Sequence, residues 1–113
     1  MIDVSIIIVT YQSQDEVLDC LNSIYNNVDG LTFEIIIADN CSTDNTVKLI
    51  QSKFPDIILV ENKINMGFSF ANNIASKDAK GDFLFFLNPD SILFENSIKI
   101  LLSEYKSDNK KGI

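Results

Sequence analysis

Four short apolar runs alternate with amphipathic stretches along the chain. Each run is rich in β-branched or aromatic residues, which favour β-strands. Between the runs, and after the last one, apolar residues recur at helical spacing, as at Val17, Leu21 and Ile24. The pattern predicts strands and helices in the order βαβαβαβα. The predicted strands are residues 4–9, 33–38, 57–60 and 83–87.

This regular alternation, with short connections, predicts an α/β fold. The expected architecture is a mostly parallel sheet with right-handed crossovers and helices on both faces. Residues 83–87 are five consecutive large apolar residues, which predict a central strand that is buried on both faces. Because the chain has 113 residues and no linker or repeat, we expect one domain over residues 1–113.

The polar loops before the first two helices carry candidate N-caps. Ser13 or Asp15 is expected to cap the first helix, and Ser42 or Thr43 the second. Asp44 is expected in the first turn of the second helix, where the helix dipole favours a negative charge. These polar residues are therefore predicted to serve the start of each helix.

Polar residues also follow each predicted strand. Because the carboxyl ends of parallel strands meet at one edge of a sheet, these residues are expected to share one rim, where open α/β sheets bind ligands. Pro89 cannot donate to a strand ladder and fixes its own φ, so it ends the fourth strand and holds Asp90 on a stiff turn. Asp90 is then either a ligand of a divalent cation or the N-cap of the next helix. The residues at the strand ends are Thr10, Tyr11, Asp39, Asn40, Asn62, Asn88 and Asp90.

Asp39, Asn65 and Gly67 each have both a functional and a structural interpretation. Asp39 is placed to accept hydrogen bonds from a ribose hydroxyl or a base N–H, or, as a loop Asp, from its own backbone amides. Asn65 and Gly67 precede a predicted helix, where they form either a turn whose amides face a phosphate or sugar, or an ordinary turn. The chain contains neither G-x-G-x-x-G nor G-x-x-x-x-G-K-[ST], so a dinucleotide or P-loop site is not supported.

Charge and composition narrow the class of partner. The formal net charge is −7 and the chain has no Arg, which argues against nucleic acid or an anionic membrane as the main partner. A phosphate ligand would have to be held by backbone amides, Lys or a metal. Two cysteines without His make neither a disulfide framework nor a zinc site. Because no apolar run spans a bilayer and the first residues lack a basic n-region, we expect no signal peptide and a cytoplasmic location.

Four short motifs in a fixed order cover nearly the whole chain. They are Val9-Thr10-Tyr11, then Asp39-Asn40-Cys41-Ser42-Thr43-Asp44, then Asn65-Met66-Gly67-Phe68 with Ala71 and Asn73, and finally Asn88-Pro89-Asp90. With this order and spacing, the chain resembles the family 2 glycosyltransferases, whose nucleotide-sugar domain has the GT-A fold. The resemblance implies a truncated GT-A fold, in which residues 1–113 are the N-terminal half of a catalytic domain.

The resemblance also implies roles for the rim residues in binding a nucleotide. Thr10 and Tyr11 would line the base pocket, and Asp39 would contact the base or the ribose. The residues implied to bind the nucleotide are Thr10, Tyr11, Asp39, Asn65, Gly67 and Asn88.

The last motif is implied to bind a metal. Asp90 would hold the Mg²⁺ or Mn²⁺ that bridges the diphosphate of the donor. Asn88 stands where the family more commonly has a first Asp, so this chain offers one metal ligand fewer. The triplet Asn88-Pro89-Asp90 resembles a branch that includes rhamnosyl- and galactofuranosyltransferase-like members.

As a member of this family, the protein would transfer a sugar from a UDP- or dTDP-sugar to an acceptor hydroxyl. The acceptor would be a glycan or lipid-linked molecule in bacterial polysaccharide or cell-surface glycan synthesis. The family's second half carries the catalytic base and acceptor site, and nothing here continues past Ile113. We therefore expect this chain to bind donor and metal but to be inactive alone. The full-length enzyme would be cytoplasmic or membrane-associated, and an exposed apolar sheet edge would favour a homodimer.

Two other classes of protein share this predicted fold. One is a non-catalytic nucleotide-binding or assembly module that has kept the fold without the enzyme. The other is a receiver-type signalling domain with Asp39 or Asp90 as phospho-acceptor. That domain is disfavoured because no Lys directly follows a predicted strand.

Overall fold

The computed structural model describes residues 1–107, which form a four-stranded parallel sheet with helices on both faces. In chain order the elements are β1 (Ile2–Thr10), α1 (Val17–Asn27), β2 (Phe33–Asp39), α2 (Thr46–Lys53), β3 (Ile58–Glu61), α3 (Phe68–Ser76), β4 (Gly81–Leu87) and α4 (Ser97–Ser107). The strand order is β3-β2-β1-β4, so the first strand lies inside the sheet. This architecture is the α/β fold that the sequence predicts.

The central position of β1 follows from its pairing on both sides. Ile6 is in register with Ile35 of β2 and with Phe85 of β4. Every residue of β1 from Val4 to Thr10 is buried, because helices cover both faces of the strand as well. The continuous apolar run in β1 is therefore typical of a strand with no solvent-facing side.

The two faces of the sheet carry different cores. On one face, side chains such as Ile6 and Ile8 pack with Leu21 of α1, Ile50 of α2 and Ile98 of α4. On the other face, the core is smaller and α3 provides the helical cover. Its members are Ile7, Val9, Ile36, Ala38, Ala71 and Ala75. The alanines of α3 allow this helix to lie close to β1 and β2.

The strand β4 is an edge strand in the part of the chain that the structure describes. On the face that α3 covers elsewhere, Leu84 is 43% exposed and Phe86 is 52% exposed. The prediction of a central strand buried on both faces is therefore wrong for these residues. The physical reason is that α3 packs over β1 and β2, which leaves this face of β4 uncovered.

The N-caps also differ from those expected. The helix α1 begins after Glu16, and the carbonyl of Ser13 accepts the N–H groups of Glu16 and Val17. The helix α2 begins after Asn45, and neither helix has a side-chain N-cap hydrogen bond.

Among residues 1–107, no helix combines the length and hydropathy needed to cross a bilayer.

Gly81 marks a point where two strands approach too closely for a side chain. Its N–H donates to Ser5 Oγ at 2.8 Å, and a Cβ at this position would lie 2.4 Å from the Ser5 backbone nitrogen. We expect Gly81→Ala to reduce the free energy of unfolding by about 1–3 kcal/mol, because backbone must shift to accept the methyl group. Urea denaturation measures this loss, with Lys80→Ala, an exposed neighbour, as the control. Equal midpoints for the two variants would contradict the close approach.

Candidate functional site

A cleft of about 510 Å³ opens at the carboxyl ends of the strands. Its size is ordinary for a small-molecule site, which is typically on the order of 300–1,000 Å³. Four separate segments of the chain contribute to it, because the polar ends of parallel strands meet there. The lining residues are Val9, Tyr11, Ser13, Glu16, Asn40, Asn65, Gly67, Phe68, Asn88, Pro89 and Asp90.

Most of the rim residues singled out from the sequence lie on the wall of this cleft. Tyr11 is 51% exposed, and its ring offers an aromatic face to a planar ligand. Glu16 is a second carboxylate on the wall, and sequence reasoning did not select it as a site residue. The predicted site residues that line the cleft are Tyr11, Asn65, Gly67, Asn88 and Asp90.

Thr10 and Asp39 lie behind the wall. Thr10 is fully buried and Asp39 is 2% exposed. The two residues pair in register, and Thr10 Oγ1 donates to Asp39 Oδ1 at 2.7 Å. The structure therefore corrects the prediction that Thr10 lines the pocket: its side chain shares the sheet face of Ile6 and Ile8, and there it orients Asp39.

The carboxylate of Asp39 is largely engaged by its own loop. Ser42 Oγ donates to Oδ1 at 2.6 Å, and the Ser42 N–H donates to Oδ2 at 2.8 Å. Together with Thr10, the loop supplies three donors to a carboxylate that can accept roughly four hydrogen bonds. Asp39 thus fixes the shape of the loop after β2 and retains room for about one further donor.

The loops that follow β1 and β2 are locked together by hydrogen bonds that the sequence did not reveal. The Gln12 N–H donates to Ser42 Oγ at 2.9 Å, and the Thr43 N–H donates to Gln12 Oε1 at 2.6 Å. Gln12 adopts a left-handed backbone conformation, with φ 52°, to make these contacts. Ser42 and Thr43, expected as helix caps, serve this junction instead.

Asp44 completes the junction from just outside α2. Burial would raise the pKa of Asp44, but hydrogen bonds from Thr46 and from the Gln14 N–H outweigh it and hold the pKa below its ordinary value. The Thr46 hydroxyl and N–H both donate to Asp44 Oδ1. The carboxylate therefore supports the start of α2 from outside its first turn.

The segment before α3 forms a tight turn at the cleft. The Gly67 N–H donates to Asn65 Oδ1 at 3.0 Å, which is an Asx turn. Gly67 has φ +83° with open space around the position of a Cβ, so the backbone conformation and not crowding favours glycine. The Asn40 side chain donates to the Gly67 carbonyl at 3.2 Å and ties the turn to the loop after β2.

Asp90 lies on an exposed turn at the rim of the cleft. The Ser91 N–H donates to the Asn88 carbonyl at 3.0 Å, which closes the turn around Asp90. The helix α4 begins only at Ser97, so the alternative of Asp90 as an N-cap does not apply. Asp90 is thus a carboxylate at the cleft that the helix start does not need.

The surroundings of Asp90 fit a magnesium-type cation. Within residues 1–107 there is no group of three or more His, Cys, Asp or Glu side chains suited to a metal. Mg²⁺ commonly takes one or two carboxylates and completes its octahedron with waters and substrate phosphates. An exposed Asp90 beside an open cleft matches that mode, because it offers one carboxylate and leaves space for waters and phosphates.

Cys20 lies directly beneath the turn that carries Asp90. It is fully buried, and its Sγ donates to the Asn88 carbonyl at 3.6 Å. Burial, and then the charge of Asp90, raise the pKa of Cys20 to about 11. Cys41, by contrast, is exposed in the loop after β2.

These surroundings predict a large difference in thiol reactivity. Because the thiolate is the reactive form, Cys20 should resist alkylation at pH 8, while Cys41 reacts. We expect one rapid equivalent of a thiol reagent in the folded chain and a second only in denaturant or as the pH approaches 11. Cys41→Ser should abolish the rapid phase. Two equally fast equivalents at pH 8 would contradict the burial of Cys20.

Comparison with known proteins identifies the family. The sequence profile of glycosyl transferase family 2 matches residues 5–113. The chain belongs to glycosyl transferase family 2. The family predicted from the four motifs is therefore confirmed.

Curated relatives of this family 2 chain are much longer. The chain is 29% identical over 127 residues to a poly(ribitol-phosphate) beta-glucosyltransferase of Bacillus spizizenii, an alignment that covers 97% of this chain and 20% of the relative. It is 33% identical over 94 residues to the SPbeta prophage-derived glycosyltransferase SunS of Bacillus subtilis, with 82% and 21% covered. The chain thus spans about a fifth of the length of the curated relatives it matches.

Solved structures support the fold. The crystal structure of S. aureus TarS 1-349 in complex with UDP has a TM-score of 0.83 at 23% identity, over 98% of this chain and 38% of that one. The complex of the same protein with UDP-GlcNAc has a TM-score of 0.81 at 23% identity, over 98% and 36%. The predicted GT-A fold is therefore confirmed.

Proposed function

We propose that this family 2 chain is the donor-binding portion of a glycosyltransferase that uses a nucleoside-diphosphate sugar. The observation that carries the proposal is the cleft at the carboxyl rim, where Tyr11, Asn65 and Asp90 come from three different loops. An aromatic face, a glycine turn and a free carboxylate suit a base, a diphosphate and a cation respectively. Membership of family 2 supports the same reaction class.

The nucleotide would lie along the cleft from Tyr11 towards Asp90. We propose that the base stacks on the ring of Tyr11, which is half exposed there. The turn at Asn65 and Gly67 lets the backbone approach the phosphates or the sugar. Contact of Asp39 with the base or ribose would use the remaining acceptor position of its carboxylate. UDP or dTDP is the proposed nucleotide, and UDP is the ligand named in one TarS complex.

Asp90 would hold the cation, with Asn88 beside it on the cleft wall. Mg²⁺ or Mn²⁺ is the proposed ion, because oxygen ligands and an open site suit both. When bound, such a cation neutralises charge that develops on a departing diphosphate. Through that ion, Asp90 would also help to orient the donor.

The proposed reaction is an in-line displacement at the anomeric carbon. The oxygen of the acceptor hydroxyl forms the new bond to that carbon as the bond to the diphosphate breaks, and the electron pair leaves with the nucleotide. A general base takes the hydroxyl proton. No residue described here is assigned as that base, so we propose that this chain binds donor without transferring sugar unaided.

The proposals for the acceptor, the family branch, the cellular location and the oligomeric state are less specific. A glycan or lipid-linked acceptor fits the relatives, one of which is named for poly(ribitol phosphate). The rhamnosyltransferase-like branch, suggested by Asn88-Pro89-Asp90, stays a prediction. A cytoplasmic location, with membrane association of a longer enzyme, also stays a prediction. A homodimer also stays a prediction. Its interface would include the exposed side chains of Leu84 and Phe86, and light scattering measures whether the chain forms a dimer.

Calorimetry tests the proposed function directly. UDP and dTDP are titrated into the folded chain, first with EDTA and then with Mn²⁺. We expect saturable heat that strengthens at least severalfold with Mn²⁺, and AMP serves as a control that lacks the diphosphate. No heat from any nucleoside diphosphate, in a sample that is folded by circular dichroism, would favour a non-catalytic assembly module.

A further inference from the structure

Two side chains of α1 hold the backbone of Leu93, just beyond Asp90. Ser23 Oγ accepts a hydrogen bond from the Leu93 N–H at 2.9 Å. Asn27 Nδ2 donates to the Leu93 carbonyl at 2.7 Å. Both polar groups of one peptide residue are thus bonded to side chains of a single helix, while the Leu93 side chain packs against the core.

The same helix also contacts the chain just before Asp90. Cys20 Sγ donates to the Asn88 carbonyl, as described above. The loop is therefore attached to α1 on both sides of Asp90, at Asn88 and at Leu93. Residues 88–96 contain no helix or strand, so regular backbone pairing does not fix this loop.

The three side chains form one row along α1, which we call the α1 polar stripe: Cys20, Ser23 and Asn27. Positions separated by three and four residues lie on the same side of a helix. Ser23 and Asn27 are also bonded to the helix itself, since Ser23 Oγ donates to the Cys20 carbonyl at 2.7 Å and Asn27 Nδ2 to the Ser23 carbonyl at 2.8 Å. The side chains of Ser23 and Asn27 are therefore each held by the helix as well as by the loop.

We propose that Ser23 and Asn27 are positioning residues, which hold the loop so that the Asp90 carboxylate stays at the cleft in the geometry that a cation requires. The inference rests on the proposed role of Asp90 in binding that cation. An irregular loop without these bonds would sample many backbone conformations, and a ligand on it would lose preorganisation.

Asn27→Asp is a sharp test, because it keeps the shape of the side chain and removes its donor. The new carboxylate would face the carbonyl oxygens of Ser23 and Leu93 and repel both. Asn26→Asp is the matched control: it adds the same charge one position away, at an exposed site of the same helix. UDP affinity is measured for each variant with EDTA and with Mn²⁺.

We expect Asn27→Asp to leave UDP affinity in EDTA within about twofold of wild type. The gain in affinity on adding Mn²⁺ should fall by about tenfold, as for other groups that orient a metal ligand. In an Asp90→Asn background, Asn27→Asp should have no further effect on this gain. Without any ligand, hydrogen exchange should accelerate at residues 88–93 in Asn27→Asp but not in Asn26→Asp.

Several results would overturn the proposal. Equal losses of UDP affinity in EDTA and in Mn²⁺ would indicate a general structural role. A persistent effect in the Asp90→Asn background would show that Asn27 does not act through Asp90. If Asn27→Asp does not fold, Ser23→Ala replaces it, because that milder change releases the Leu93 N–H and should lower the Mn²⁺ gain in the same way.

The failure of this proposal differs from failure of the proposed function. A wild-type chain that binds UDP equally with and without Mn²⁺ would overturn the assigned role of Asp90, and the positioning role with it. A wild-type chain that responds to Mn²⁺, with Asn27→Asp indistinguishable from Asn26→Asp, would overturn the positioning role only.

Discussion

Asp90→Asn is expected to remove most of the effect of Mn²⁺ on UDP binding. Asp90 is the exposed carboxylate on the turn closed by the Asn88 carbonyl, and it lines the cleft. Its replacement by a neutral amide takes away the charge that attracts the cation. The Mn²⁺-dependent gain in affinity should fall on the order of 10–100-fold. Affinity in EDTA should stay near that of wild type, because Asp90 needs the ion to act on the diphosphate.

Asp82→Asn is the matched control for this experiment. Asp82 is exposed near the amino end of β4, whereas Asp90 follows the carboxyl end of the same strand. The same change of charge there should alter neither the UDP affinity in EDTA nor the UDP affinity in Mn²⁺. If Asp90→Asn and Asp82→Asn bind UDP equally well in Mn²⁺, the carboxylate at the rim does not hold the cation, and the proposed site is wrong.

Asp39→Asn is expected to have the second large effect, on stability and on nucleotide binding together. The carboxylate accepts three hydrogen bonds from Thr10 and Ser42 while almost fully buried. An amide nitrogen would face one or more of these donors and leave them unpaired. Unsatisfied groups of this kind cost on the order of 1–3 kcal/mol each, so the free energy of unfolding should fall by about 2–4 kcal/mol.

The same substitution should weaken UDP binding in EDTA, because the loop after β2 shapes the Tyr11 side of the cleft. Thr10→Val serves as the comparison: it removes a single donor, keeps the shape of the side chain, and should cost about 1 kcal/mol. Urea denaturation and calorimetry give the two quantities. An Asp39→Asn variant as stable as Thr10→Val would mean that the hydrogen bonds to the carboxylate are not important.

The layered fold could be predicted from the sequence because burial imposes a simple pattern. A parallel strand covered on both faces needs an unbroken apolar run, and β1 has one. A helix was predicted after the turn at Asn65 and Gly67, and α3 begins there, at Phe68. The shared rim follows from parallel strands, so Tyr11 and Asp90 were expected together at one cleft.

What the sequence did not reveal depends on contacts between distant segments. An apolar run does not indicate whether a helix covers it, so the open face of β4 was missed. The pairing of Thr10 with Asp39 requires the register of two strands. The contact of Gln12 with Ser42 requires a left-handed backbone at Gln12, for which glutamine gives no local signal.

The anchoring of the Asp90 loop was missed for a similar reason. Cys20 and Ser23 occur within an apolar helix face, where small residues are usually fillers. Only the folded chain shows that Ser23 and Asn27 bond the backbone at Leu93, which is remote along the sequence. Polar residues at helical spacing within a core face are the one available signal, and that signal does not indicate what they contact.

Paramagnetic broadening of backbone amide signals by Mn²⁺, in the presence of UDP, tests the central claim most directly. If the cation lies at Asp90, the amides of Asp90 and Ser91 should broaden first and that of Gly67 next. The amides of Ile2 and Gly81, which pair at the amino ends of β1 and β4 about 20 Å away, should stay sharp. Broadening centred on Gly81, or spread evenly over the chain, would contradict a cation-assisted nucleotide site at the carboxyl rim.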